Sequence, residues 1–466
     1  SCRNNCMIDQ LPDDILIAIL SRMGVEEAVR TSVLSSRWRY LWKHTSIYNS
    51  ETLEFDDMYT DTGTKMDETK FKDLVNHVLK SHQGPLVESF IIRYGNVRDR
   101  SIDIDKWIYF AMRKEVESFE LNFSSCDVWL DFGYKFPEFL LSHSSCSTPS
   151  FQFLRSLVLV EVDIEDEVVR YFLDSCYHIE EVCIIGSNTT KNVEVVGRSP
   201  FLRELEISEC WNMQSIKISA KYIFCLTYQG SEISLQIERT PMFFELALGG
   251  EFCESFIYEP NKHSSYSFQL KNLALILQAE FPFGRERTIA PADLPRLHAL
   301  ERLELNIESQ VGRSLLFFTS LIKASPRLRE FRIQVNVFTA KLHSYSPRIR
   351  IMMPFPEVST VESNGVDHKN LKVVTMVGYC GCASEEDFLV QLSKMAEQSL
   401  EKIVIDTNCD YYLNTDWVMY RVTEEEWEKP IENNKQKNTT MTRFHAKIHA
   451  EKLASSIASK IKFLIT

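Results

Sequence analysis

The chain has 466 residues, of which 44% are hydrophobic and 25% charged, and its formal net charge is -13. Such a length can bury a large core and allows roughly two to four domains. The acidic balance excludes the concentrated basic surface that nucleic-acid backbones and anionic membranes require, so neither is expected as a partner. Twelve cysteines fall singly along the chain, as at Cys176, Cys183, Cys210 and Cys225. The close pairs Cys2/Cys6 and Cys380/Cys382 lack zinc-ligand spacing, so neither a metal nor a disulfide framework is expected. Ser1 to Gln10 is polar, without the apolar centre of a signal peptide, and no apolar run approaches the roughly 18 residues that span a bilayer. These features predict a soluble intracellular protein of nucleus or cytoplasm with reduced thiols. Its start at Ser1 in place of Met is consistent with a short missing N-terminal piece.

From the N-terminus, Leu11 to Trp42 predicts three short helices. Pro12 suits a first helical turn, and Asp13 and Asp14 sit at the positive end of the helix dipole. Ile15, Leu16, Ile19, Leu20 and Met23 recur at helical spacing up to Gly24. A second helix carries Ala28, Val29, Ser32 and Val33. Ser35 or Ser36 can cap a third that brings Trp38, Leu41 and Trp42 together. About forty residues cannot bury so many large apolar groups in a private core. On this physics two readings stand: a partner supplies the other half of the core, or the helices pack on the rest of the chain. Arg22, Arg30, Arg37, Arg39 and Lys43 make the module locally basic, which would suit an acidic partner.

The strings Leu11-Pro12-Asp13-Asp14-Ile15-Leu16, Ile19-Leu20-Ser21, Ala28 to Ser35, Arg37-Trp38-Arg39 and Leu41-Trp42 resemble a plant F-box. Met23-Gly24 departs from the usual Leu-Pro. The resemblance implies binding to the Skp-type adaptor of a cullin–RING ubiquitin ligase. By matching position, Leu11, Pro12, Ile15, Leu16, Ile19, Leu20, Val33, Leu34, Trp38 and Leu41 would form that contact or its immediate support.

After a polar stretch, Asn49 to Lys70, the pattern apolar-x-x-apolar-x-apolar repeats. It runs through Val87/Phe90/Ile92, Val116/Phe119/Leu121, Leu154/Leu157/Leu159, Ile179/Val182/Ile184, Leu202/Leu205/Ile207 and Met213/Ile216/Ile218. It resumes at Leu270/Leu273/Leu275, Leu300/Leu303/Leu305, Leu328/Phe331/Ile333, Leu371/Val374/Met376 and Leu400/Ile403/Ile405, with weaker strands expected around Leu226 and from Leu246 to Leu248. The spacing falls in and just above the leucine-rich-repeat range of about 20–29 residues. The steps from Leu205 to Ile216 and on to Leu226 are too short to hold a helix and predict bare strand-turn-strand coils. The fold class is therefore α/β, a three-helix N-terminal module followed by an irregular leucine-rich-repeat solenoid with a parallel sheet on its concave face. Each repeat lays one strand in the sheet and buries its apolar face only by stacking on its neighbours. The side chains between the apolar positions point away from the core. Ser156, Glu181, Glu204, Glu206, Lys217, Arg302, Glu304, Glu330 and Arg332 are the candidate contacts to a protein substrate. Any one of them can equally be a solvated surface residue.

Trp107-Ile108, Phe136-Pro137, Ser199 to Leu202 and Ser314 to Arg332 resemble the plant F-box/leucine-rich-repeat family. Leu371 to Asp406, with Gly378-Tyr379 and Gly381 before a helical Leu389/Leu392/Met395 pattern, is similar to that family's FBD module. The expected organisation is an F-box at 7–48, a linker and leading helix at 49–85, repeats at 86–365, an FBD-like terminal repeat at 366–414 and a tail at 415–466. In the tail, Lys435 to Lys462 predicts a capping helix with Phe444, Ile448, Leu453, Ile457 and Ile461 on one face. A partner-binding or membrane-surface helix is the alternative there.

Catalytic signatures are missing. His445 and His449 stand at the spacing of two helical zinc ligands but have no HExxH and no third ligand. Gly378 to Cys382 is glycine-rich but lacks the Lys-Ser/Thr of a phosphate loop. No cysteine sits in a Cys/His/Asp neighbourhood. The resemblance implies a non-catalytic substrate-recognition subunit of an SCF-type E3 ligase, without cofactor, joined through the Skp-type adaptor to cullin and RING subunits and holding an unidentified protein substrate. A repeat scaffold acting outside any ligase is the competing expectation.

Overall fold

The computed structural model describes residues 8, 11–20, 36–41, 52–56, 68–82, 86–95, 102–124, 134–138, 149–197, 201–277, 294–310, 314–338, 368–407, 412–415, 418–421, 443–457 and 460–466. They fall into two compact units, residues 1–223 with 233–242, and residues 224–232 with 243–466.

The first unit opens on α1 (Asp13–Leu20) and α2 (Ser36–Leu41), which contact one another. Asp13 and Asp14 lie in the first turn of α1, where the dipole favours them. Leu16, Ile17 and Leu20 are buried, as are Trp38 and Leu41 of α2. Arg37 ties the helices by donating from Nε to Asp13 Oδ1 at 2.7 Å and from Nη2 to the Leu11 carbonyl. That ion pair is half-exposed and contributes little, about 0–1 kcal/mol; the apolar residues hold the module at roughly 1.5–3 kcal/mol for each full burial.

A parallel sheet follows in the order β1 (Thr52–Asp56), β2 (Ser89–Arg93), β3 (Ser118–Asn122), β5 (Ser156–Val160), β7 (Glu181–Ile185) and β9 (Glu204–Ser208). Neighbouring strands are in register, with Phe90, Phe119, Leu157, Val182 and Leu205 opposite one another in turn. These residues and their i+2 partners Ile92, Leu121, Leu159, Ile184 and Ile207 are all at most 1% exposed, as the repeated pattern requires. The returns carry α3 (Glu68–Ser81), α4 (Ile102–Lys114) and α5 (Asp166–Ser175), and β4 (Tyr134–Lys135) pairs with β6 (Val162–Asp163). The sheet starts at β1, inside the segment read as a linker, because Leu53 and Phe55 supply one buried alternation.

Where the repeats shorten, the architecture departs from expectation. β8 (Asn192–Val195), β10 (Ser215–Ile218) and β12 (Ser234–Ile237) form a separate three-stranded parallel sheet. The Met213/Ile216/Ile218 copy therefore belongs to this second sheet, not to the main one. A coil of twenty-odd residues with no room for a helix buries its return as a second strand. Lys217, predicted on the main strand face, lies on β10.

The second unit repeats the main-sheet pattern with β11 (Cys225–Gln229), β13 (Glu245–Gly249), β14 (Asn272–Leu277), β15 (Arg302–Gln310), β16 (Glu330–Phe338), β17 (Val373–Val377), β18 (Lys402–Asp406) and β21 (Lys462–Ile465), all parallel. Helices α6 (Gly250–Tyr258), α7 (Ser264–Ser267), α8 (Phe317–Lys323) and α9 (Ala383–Met395) lie in its returns. Gly250 has φ +71°, and a Cβ there would stand 2.5 Å from the Gly230 carbonyl oxygen, so only glycine fits the step from β13 into α6. The stretch 371–406 is one more strand–helix–strand repeat, followed by the antiparallel pair β19 (Tyr412–Thr415) and β20 (Val418–Arg421). The tail differs from a simple cap. α10 spans Arg443–Ser456, ending before the predicted Lys462, and is followed by β21, which pairs with β18; residues 435–442 of the predicted helix lie outside the described residues. Ala446, Ala450, Leu453 and Ile461 are its buried residues.

Candidate protein-interaction sites

The first candidate surface is on α1. Ile15 is 44% exposed and Ile19 36% exposed, one turn apart on the same side of the helix, with Pro12 exposed and Leu11 half-buried before them. Leu16, Leu20, Trp38 and Leu41 lie inside, at 0%, 1%, 2% and 2% exposure. The predicted set thus divides into an outward apolar face and the internal packing beneath it. Val33 and Leu34 lie outside the described residues.

The second candidate is the outward face of the sheet strands. In the first unit it carries Glu54, Asp56, Glu120, Glu181, Glu204 and Glu206, with Arg93 as the only cation on those six strands. Arg93 is already engaged with Glu120 at 2.6 Å, Glu54 at 2.6 Å and Asp56 at 3.3 Å. Glu181 and Glu204 are direct neighbours in register, both exposed, and no described cation pairs with either. Glu181 accepts from Ser156 Oγ at 3.0 Å. Glu206 accepts from Ser208 Oγ at 3.2 Å and from the Cys183 thiol at 3.5 Å. Burial and then the adjacent Glu206 push the Cys183 thiol up, so it stays protonated and is a donor, not a nucleophile.

On β15 and β16 of the second unit the same face compensates itself, whereas Lys402 of β18 and Lys462 of β21 face one another in register. Arg302 pairs with Glu330 at 2.7 Å and Arg332 with Glu304 at 3.2 Å, each across the β15/β16 register. Ser156, Glu181, Glu204 and Glu206 are therefore brought together in one unit, and Arg302, Glu304, Glu330 and Arg332 in the other. Lys217 joins neither and pairs with Glu194 at 3.0 Å on the second sheet.

Two polar clusters invite a chemical reading. The loop from Gly378 to Cys382 has Gly378 at φ +78° and Gly381 at φ +79°, which turns successive amides inward. The amides of Cys380, Gly381 and Cys382 donate to Glu385 Oε2 at 3.0, 2.8 and 3.1 Å. The chain's own carboxylate, buried and with its pKa raised by that burial, occupies the position an anion would take. Ser255 Oγ lies 3.3 Å from His263 Nε2, and His263 Nδ1 lies 2.7 Å from the Tyr266 hydroxyl. All three residues are at most 5% exposed, so this is a satisfied core network with no route for a substrate. His449 Nδ1 contacts the Tyr379 hydroxyl at 3.0 Å, and among the described residues no group of three His, Cys, Asp or Glu could hold a metal. No described helix is long and apolar enough to cross a membrane.

Residues 8–50 match the F-box domain, and residues 78–465 match the LRR domain of the At1g61320/AtMIF1 type. The chain belongs to the F-box/leucine-rich-repeat family. Among relatives from Arabidopsis thaliana, "F-box/LRR-repeat protein At3g03360" is 31% identical over 247 residues, covering 48% of each chain. "F-box/FBD/LRR-repeat protein At4g00160" is 27% identical over 223 residues, 43% of this chain and 46% of that one. "Putative FBD-associated F-box protein At1g61330" is 21% identical over 412 residues, 82% of this chain and 87% of that one. The matched part spans about half the length of the first two relatives. In this F-box/leucine-rich-repeat chain the α1 surface lies within the F-box match, and both strand faces lie largely within the repeat match.

Proposed function

We propose that the protein is the substrate-recognition adaptor of an SCF-type ubiquitin ligase. Its F-box binds the Skp-type adaptor, and its repeats bind a target protein. The observation that carries the reading is the division of α1. A small helical module has Leu16, Leu20, Trp38 and Leu41 to pack with, yet leaves Ile15 and Ile19 in water beside Pro12. Covering two exposed isoleucines on a partner would contribute up to roughly 1.5–3 kcal/mol for each full burial.

Catalysis in this reading resides in partner subunits. The protein acts by proximity: it holds a target so that the target's lysines face a ubiquitin-charged conjugating enzyme, which raises effective concentration without a new reacting group. The parallel sheets that anchor each repeat provide the stiffness that tethering needs. The target contacts are the outward strand residues, led by Ser156, Glu181, Glu204 and Glu206; the three glutamates, with no cationic partner among the described residues, suit a basic segment of the target.

The test is a pull-down of a plant Skp-type adaptor with wild type and with the double variant Ile15→Asp/Ile19→Asp. Because both side chains are exposed, the variant is expected to keep its melting temperature and lose the adaptor. Equal recovery by both proteins would sink the assignment of this face.

A further inference from the structure

The turns that lead into three successive strands carry an exposed stack of rings. Phe153, His178 and Phe201 each stand three residues before the first residue of β5, β7 and β9, so the parallel register aligns them. Phe153 and His178 are 6.4 Å apart with planes 13° from parallel; His178 and Phe201 are 5.9 Å apart at 16°. Tyr177 meets Phe201 edge-on at 5.7 Å. Phe153, Tyr177 and Phe201 are 43%, 57% and 42% exposed. Three large aromatics at one sheet edge in water form an apolar patch that needs an explanation.

Elsewhere the chain shows what such rings accept. A lysine ammonium lies over Tyr222 at 5.1 Å and over Phe244 at 4.3 Å. Among the described residues no cation lies over the Phe153–His178–Phe201 stack. The strand positions three residues on are Ser156, Glu181 and Glu204, and among the described residues the two exposed glutamates there have no cationic partner. Rings in the turns that lead into strands opening on such carboxylates are complementary to a segment whose side chains have an apolar stem and a cationic head. Arginine fits best, since its planar guanidinium stacks on rings and bridges a carboxylate in two hydrogen bonds.

We infer that this edge, with the rings Phe153, Tyr177, His178 and Phe201 and the carboxylates Glu181 and Glu204, is the docking site for an arginine-bearing segment of the target protein. The inference rests on the reading of the repeats as the target-binding part and names the chemistry they select. An extended segment would lie across the starts of β5, β7 and β9, its arginines over the rings and against Glu181 and Glu204, with aliphatic or proline residues between them.

The test measures fluorescence anisotropy of labelled twelve-residue peptides with the full chain. One peptide alternates arginine with leucine and proline; the other carries citrulline, isosteric but uncharged, in place of every arginine. The arginine peptide is expected to bind with an affinity that falls as salt rises, and the citrulline peptide at least tenfold more weakly. Phe201→Ala and Glu204→Gln, both at exposed positions, should each weaken the arginine peptide about three- to tenfold. Glu397→Gln, at an exposed position of the other unit, should leave it unchanged. Should Phe201→Ala lower the melting temperature, Glu204→Gln alone decides. Equal binding of the two peptides, no binding of either, or indifference to both variants overturns the inference. The Skp-type adaptor pull-down is read separately, so failure of the docking site and failure of the ligase reading are distinguishable.

Discussion

The strand pair β15/β16 of the second unit and the pair β7/β9 of the first rest on the same kind of core and handle charge in opposite ways. In the second unit each arginine of β15 and β16 meets a glutamate across the register, Arg302 with Glu330 and Glu304 with Arg332. In the first, Glu181 and Glu204 are placed side by side with no cation pairing with either among the described residues, and Arg93 is consumed by Glu54, Asp56 and Glu120. Like charges opposite each other cost roughly 0.2–1 kcal/mol. A core that would tolerate either arrangement does not account for that cost, whereas an incoming cationic partner does.

The largest expected effect tests whether the cores are in fact alike. Leu205 and Leu303 occupy corresponding buried positions, 1% and 0% exposed, in the two units. Leu205→Ala and Leu303→Ala should each destabilise by about 2–5 kcal/mol in guanidinium unfolding. A cost confined to one of them would mean that the two sheets are not packed equivalently, and the contrast could not be assigned to their faces.

A smaller effect comes from acid. His82 packs against Phe110 at 6.0 Å, and both its ring nitrogens lack a hydrogen-bond partner among the described residues. Burial first, then the nearby Lys114 charge, lowers its pKa to about 4. His263 of the second unit is also lowered by burial, but both its nitrogens are engaged. A histidine held neutral in the folded state takes up a proton more readily when unfolded. Its contribution is present above about pH 6.5 and is lost as pH falls toward 4. Discounted for partial exposure, the loss at His82 is on the order of 1 kcal/mol. Urea unfolding of wild type and His82→Gln at pH 7 and pH 4.5 should show a smaller acid penalty in the variant, and an identical penalty would contradict this account.

The smallest effect bears on the faces themselves. Glu204→Gln should stabilise the free protein by a few tenths of a kcal/mol by relieving Glu181, whereas Glu330→Gln should cost about as much by releasing Arg302. Matched thermal melts at low salt would reveal the opposite signs, and added salt should shrink both. The same sign for both variants would break the comparison.

How far the sequence disclosed this arrangement depends on which force set each feature. Burial writes itself in alternation, so Phe90/Ile92, Leu157/Leu159 and Leu303/Leu305 predicted strands that the structure places in register. The same alternation could not tell which sheet a strand joins. Ile216 and Ile218 read like any other copy, and only pairing with β8 and β12 took Lys217 off the main face. β1 and β21 were missed because a single short alternation in a polar stretch becomes a strand only when a neighbour supplies its hydrogen bonds. The F-box string named one apolar stripe without separating Ile15 and Ile19, which face water, from Leu16 and Leu20 beneath them, since such a stripe does not reveal what lies on either side. The ring stack was overlooked because Phe153, His178 and Phe201 are 25 and 23 residues apart and meet only through the register of three strands.

The central claim is that one end of this protein joins a ligase while the repeats hold a target, and assembly of the whole complex tests it most directly. Tagged wild type and Ile15→Asp/Ile19→Asp would be immunoprecipitated from plant cells, with quantitation of the Skp-type adaptor, cullin and RING subunits. The account predicts that all three accompany the wild type and that all three are lost together from an equally abundant, folded variant. Absence of cullin from the wild-type precipitate, or its retention by the variant, would contradict the account.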